Sequence, residues 1–245
     1  MSLRSNVGRA FSHVLPMPRR RRIVFVTYPG AELLDLTGPS GVFSTANHLL
    51  GTSAYRIVAA SPEGGPIQHS CGLEQDTLPL RSMRFGGRDT VLVIGAYTEA
   101  LKRAVAVHGL HTAMGAASRR AERFGSICTG AFILGSTGLL DGRRTATHWS
   151  AQSEFEARLP AARRDRHALY CVDGRLWTSA GVTSGIDMAL AMLGRDHGPM
   201  LKAQVARQIV VYLHRPGGQT QFSRLLHLQT ELDTHFLGLF DWIHA

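Results

Sequence analysis

The sequence has no apolar run near the ~18 residues that a membrane span needs, and no signal-peptide h-region opens it. Both absences point to a soluble, cytoplasmic protein without a membrane partner. Cysteine is scarce: Cys71, Cys128 and Cys171 lie far apart, matching no zinc knuckle or redox pair, and an odd count argues against a disulfide framework. Each thiol is therefore read alone, by default as a small buried hydrophobe. Internal repeats are absent as well, which excludes a solenoid or propeller.

What is present is a core. With 44% hydrophobic residues over 245 positions, the chain can bury enough apolar surface to exclude global disorder. The formal net charge of +9 suggests a polyanion partner. Part of that charge sits in Arg4, Arg9 and the arginine run 19–22, within a Pro- and Ser-containing segment read as a flexible basic leader over residues 1–21. Such a tail adds salt-sensitive, sequence-independent attraction to DNA.

Short continuous apolar runs predict strands at 23–26, 55–60, 90–95, 124–127, 145–148 and 176–179. Helices are expected at 38–50 and 99–119, and from near Thr129, Ser150 and Thr183. The stretch 61–66, Ser-Pro-Glu-Gly-Gly-Pro, reads as a turn. Alternating strands and helices imply an α/β three-layer sandwich, a mostly parallel sheet with helices on both faces. Composition changes at 214–219, where Pro216, Gly217 and Gly218 mark a domain boundary and linker over 214–225. Beyond it, Leu232, Phe236, Leu239, Phe240 and Ile243 suggest an amphipathic helical segment in 226–245.

The stretch 125–132, Gly-Ser-Ile-Cys-Thr-Gly-Ala-Phe, carries the chemistry. A strand ends at Ile127, Cys128 follows at once, and Gly130 opens a helix: a nucleophile elbow, crowded enough to require small neighbours. Helix amide groups facing the sulfur favour thiolate. Backbone N–H groups at Thr129 and near Gly95 and Ala96 are candidates for an anion or oxyanion pocket. His108 and His111 lack a third ligand, so no metal is expected, and Trp177 reads as core.

Residues 125–140, then Thr147-His148-Trp149, the block 179–187 and Asp35-Leu36-Thr37-Gly38-Pro39 with Phe43 together resemble the PfpI-like branch of the class I glutamine amidotransferase-like superfamily. Isonitrile hydratases share much of this pattern. Asp196-His197-Gly198-Pro199, residues 206–211 and residues 215–223 resemble the GlxA-like group of AraC-family regulators, and 239–244 resembles the first helix of their DNA-binding domain. The resemblance implies a flavodoxin-like sensor over 22–213, homodimerisation, and a helix-turn-helix domain that starts at 226–245. DNA contact would run through that domain.

The resemblance places Asp35 and His148 beside Cys128, the catalytic candidates; a carboxylate there would also raise the cysteine pKa by like-charge repulsion. Cys128 and His148, with Gly95, Ala96, Thr129, Gly130 and Trp149, are the ligand-binding candidates, and no cofactor is expected. The chain departs from the pattern at Thr129, where PfpI-type hydrolases put a histidine, and it carries no later His-x-Glu pair at a suitable place. Gly95-Ala96 replaces a frequent Gly-Gly. A cysteine without a positioned base loses the activation that covalent catalysis needs. The expectation is a sensor that binds a small-molecule effector, with a cysteine hydratase or amide hydrolase and a redox sensor as alternatives.

Overall fold

The computed structural model describes residues 20–211 together with Arg215. Three strands run through the centre: β1 (Arg21–Val26), flanked by β2 (Tyr55–Ser61) on one side and β5 (Asp89–Val93) on the other, with β6 (Arg123–Ile127) beyond β5. Every residue of β5 and β6 is buried, as expected of strands covered on both faces. With β3 (Gly65–Gln68), β4 (Glu74–Pro79), β9 (Tyr170–Asp173) and β10 (Leu176–Ser179), the sheet order is β3-β4-β2-β1-β5-β6-β10-β9. Pairing is parallel from β4 to β10 and antiparallel at both edges.

Helices α1 (Leu33–Leu50), α6 (Thr183–His197) and α7 (Pro199–Gln208) pack together on one face. The other face carries α2 (Thr98–Val105), α3 (His108–Arg120) and α4 (Ala131–Gly135). The result is the three-layer, flavodoxin-like α/β sandwich. Because the chain leaves β1 toward β2 and later returns to its other side as β5, the carboxyl ends of β1 and β5 diverge and open a crevice, the usual place for a ligand in such sheets.

Several elements differ from the sequence-based expectation. The first strand starts at Arg21, so Arg21 and Arg22 belong to the sheet and pair with Glu122 and Asp89. α1 begins at Leu33, five residues early, because the Glu32 carboxylate caps it by accepting from the Leu34 N–H at 3.2 Å; Gly38 and Pro39 lie inside. The single helix expected over 99–119 breaks where Val107 turns extended. The strand at 145–148 shrinks to β7 (Arg144–Thr145), which pairs with β8 (Arg163–Arg164), since His148 caps a 3-10 turn over Trp149–Ala151. That turn leads into the short α5 (Gln152–Arg158). β3, β4 and β9 went unforeseen: Glu74, Gln75 and Asp76 offer no apolar pattern. Residues 1–19, the linker except Arg215, and 226–245 lie outside the described residues.

Candidate functional site

Cys128 follows β6 directly and takes φ 57°, a left-handed conformation that costs a non-glycine residue about 1–3 kcal/mol. The bend exists because its neighbours lack side chains. A Cβ on Gly95 would stand 2.7 Å from the Cys128 Cβ, and one on Gly181 only 2.3 Å away. A Cβ on Gly130 would meet the Val93 carbonyl oxygen at 2.4 Å. Gly95 and Gly130 thus serve close packing behind the elbow.

Asp35 reaches the elbow from the first turn of α1 and is fully buried. Its Oδ2 accepts from the Gly95 N–H at 3.1 Å and its Oδ1 from the Val182 N–H at 2.7 Å. Burial raises the Asp35 carboxyl to about 6, although these two N–H groups and the Cys128 thiol pull it back. For Cys128 itself, burial and then the Asp35 charge push the thiol well above its ordinary range; the Thr129 N–H and hydroxyl oppose them less strongly. The expected thiolate is therefore corrected to a thiol at neutral pH. α4 has five residues and starts after a 3-10 turn, so its dipole is short, while a carboxyl group stands beside the sulfur.

Two of the expected oxyanion donors are committed within the protein, while the Thr129 N–H faces the Cys128 sulfur. Gly95 donates to Asp35, as above. Ala96 donates its N–H to Thr129 Oγ1 at 2.9 Å, and that hydroxyl donates back to the Ala96 carbonyl at 2.8 Å. His148 holds Ser150: its Nδ1 lies 2.8 Å from Ser150 Oγ and accepts from the Ser150 N–H at 3.4 Å. Burial lowers its pKa, so the ring is neutral, with its proton on Nε2 when Nδ1 accepts. Among the described residues no hydrogen bond joins His148 to Cys128.

A cavity of about 210 Å³ opens on this elbow, walled by Ala96, Cys128, Thr129, Phe132, His148 and Val182. Four charged residues also line it: Glu32, Lys102, Glu154 and Arg158. Lys102 pairs with Glu99 and Arg158 with Glu154. Trp149 is 50% exposed and stands outside this wall, its ring 5.6 Å from that of His148.

Sequence reasoning passed over Val182 and Gly181. Val182 has φ 50° and ψ −120°, an outlier for a β-branched residue, and its N–H secures Asp35. The Gly-Val pair lay within the 179–187 block, so the signal was present. Tyr28 was also missed; buried, it donates its hydroxyl to the Ile94 carbonyl at 3.1 Å. Elsewhere, Cys71 is exposed, and Cys171 is buried with Ala146 and Ala168, its thiol pushed up to about 12 by burial. His111 bonds Ser136 at 3.1 Å, and among the described residues no three His, Cys, Asp or Glu side chains gather as a metal site.

The DJ-1/PfpI family model matches residues 21–195. The HTH-type transcriptional regulator CdhR of Pseudomonas aeruginosa is 32% identical over 193 residues, 78% of this chain and 55% of that protein. An uncharacterized protein in the cpoL 5' region of Streptomyces lividans is 37% identical over 142 residues, 57% of this chain and 96% of that one. The crystal structure of an AraC family transcriptional regulator from Pseudomonas putida superposes with a TM-score of 0.67 at 20% identity, covering 77% of this chain and 99% of the other. The chain spans about half the length of the regulators it matches.

Proposed function

The chain belongs to the DJ-1/PfpI family, and from that premise we propose that it is the ligand-sensing part of an AraC-type transcription regulator. Residues 22–213 form the sensor, 214–225 the linker, and 226–245 the start of a helix-turn-helix domain. The protein acts in the cytoplasm as a homodimer and meets DNA through that domain. The effector is a small polar molecule held against Cys128, Thr129 and His148. A cavity of about 210 Å³ falls below the roughly 300 Å³ at which drug-sized sites begin, and so suits a compact metabolite.

The observation that carries this reading is the commitment of most of the catalytic parts, the Thr129 N–H excepted. Gly95 and Ala96 N–H groups are bound within the protein, His148 is bound to Ser150, and burial beside Asp35 keeps Cys128 protonated. A nucleophile needs a base, and its tetrahedral intermediate needs free donors. A binding pocket needs neither. The second reading, a cysteine-dependent hydratase or amide hydrolase, draws on the Asp35 carboxyl beside the sulfur, which could pass a proton.

Thermal-shift screening of small amines, amides and amino acids against the wild type and Cys128→Ala separates the two. The sensor reading expects saturable stabilisation in the wild type that the substitution weakens, with no product formed. Turnover of an isonitrile or small amide that disappears in Cys128→Ala would overturn it.

A further inference from the structure

Arg215 lies beyond α7, at the start of the Pro/Gly-rich segment, yet it is fastened to the sensor by four hydrogen bonds. Its backbone N–H donates to Asp187 Oδ1 at 3.0 Å; its Nε and Nη2 donate to Asp187 Oδ2 at 3.0 and 2.7 Å. Nη2 also donates to Thr183 Oγ1 at 3.0 Å. Asp187 is 3% exposed, so the guanidinium and backbone meet a carboxylate already withdrawn from water. A buried carboxylate makes such charge-assisted bonds strong and makes their loss costly.

Thr183 and Asp187 stand one helical turn apart at the start of α6 and so present one face. The residue before Thr183 is Val182, the strained position whose N–H holds Asp35. Before that is Gly181, packed on Cys128, with its carbonyl gripped by the Ser184 N–H at 3.0 Å and the Ser184 hydroxyl at 2.7 Å. The seven positions from Gly181 to Asp187 therefore touch the pocket cysteine at one end and Arg215 at the other.

We propose that Asp187 and Thr183 form a docking notch for the segment carrying Arg215, and that seating of this arginine is coupled to the state of the Cys128 pocket through the first turn of α6. The inference rests on the sensing reading for its purpose, since a sensor must pass its state to the segment that leads away from it. Physically, a ligand or adduct at Cys128 presses on Gly181 and Val182. Val182, in a sparsely populated conformation, has little room to absorb that except by turning the start of α6, which moves Thr183 and Asp187 under Arg215. Coupling of this kind is reciprocal for binding: a ligand at Cys128 that loosens Arg215 must bind more tightly, by the same factor, once Arg215 is released.

The test uses the 245-residue chain and iodoacetamide as an uncharged probe, with each cysteine followed by peptide mass spectrometry. Arg215→Ala should raise the alkylation rate of Cys128 about fivefold while leaving exposed Cys71 unchanged. Thr183→Val, which removes one of the four bonds, should give a smaller rise in the same direction. In reverse, carbamidomethylation of Cys128 should speed hydrogen exchange at the Arg215 amide and across the first turn of α6. An unchanged Cys128 rate in Arg215→Ala overturns the proposal. So does equal acceleration of Cys71, which signals general loosening. A protein that shows the coupling yet binds no small molecule removes the sensing reading alone; one that binds without coupling removes the docking notch alone.

Discussion

The two ends of the sheet carry buried polar clusters of opposite construction. At the amino end, carboxylates meet guanidinium groups. Arg22 grips Asp89 through Nε at 3.1 Å and Nη2 at 2.5 Å, Arg123 pairs with Asp196, and Arg21 pairs with Glu122. The Tyr55 hydroxyl donates to Asp196 at 2.8 Å. At the carboxyl end, Asp35 meets two backbone N–H groups and a thiol. Two of the three non-glycine residues with positive φ among the described residues, Cys128 and Val182, stand there. The same strands thus begin in matched charges and finish in stored strain. Matched pairs hold a structure in register, whereas strain persists where surrounding structure over-determines it for use.

The largest effect should come from the paired end. Arg123→Ala leaves the Asp196 carboxylate, 1% exposed, without its main cation, and should cost about 3–5 kcal/mol in urea unfolding. The folded fraction should keep the wild-type alkylation rate at Cys128. A loss of under about 1 kcal/mol would place this cluster with surface pairs and erase the contrast. Next comes Gly181→Ala. At φ 94°, with the new Cβ 2.3 Å from that of Cys128, it should cost roughly 2–3 kcal/mol and abolish ligand stabilisation at the pocket.

Asp35→Asn sharpens the comparison through pH. Because the folded protein holds the Asp35 proton up to about 6, whereas the unfolded chain releases it in the ordinary carboxylate range, stability from this group is full below about pH 4 and declines as pH rises to about 6. Removing the charge removes that decline. The difference between variant and wild type should shift in the variant's favour by roughly 2 kcal/mol between pH 4 and pH 7. Losing the repulsion should also quicken Cys128 alkylation at pH 7 about tenfold. A slower Cys128 would mean that Asp35 activates the thiol, reviving the enzyme reading.

How far these features were legible follows from their range in sequence. The layered fold and the sharp bend after β6 were readable because each is local: apolar runs at 23–26 and 90–95, and Ile127-Cys128-Thr129-Gly130 across one turn. The state of the thiol was legible only in part: the family pattern places Asp35 beside it, but the larger cause, burial, is encoded by no local pattern. The closing of the Ala96 donor by Thr129 was unreadable for the same reason. The edge strand β3 and its neighbour β4 were missed because both are largely exposed and so show no apolar pattern.

The smallest effect tests the strained end most directly. Val182 combines φ 50° with ψ −120°, a region where glycine is at ease and a β-branched residue is not. Val182→Gly should release about 1–2 kcal/mol of strain and lose about half of it to the greater freedom of the unfolded chain, for a net gain under about 1 kcal/mol. Its backbone N–H still reaches Asp35, so the carboxyl should keep its place. What should change is transmission: with a pliant residue between Gly181 and Thr183, the start of α6 no longer follows the pocket. The variant should then be slightly more stable than the wild type in urea, while the response of Cys128 to Arg215→Ala fades. A Val182→Gly protein that is clearly destabilised would mean that the valine side chain packs to more purpose than its backbone is strained, and the carboxyl end would then resemble the amino end more closely than its geometry suggests.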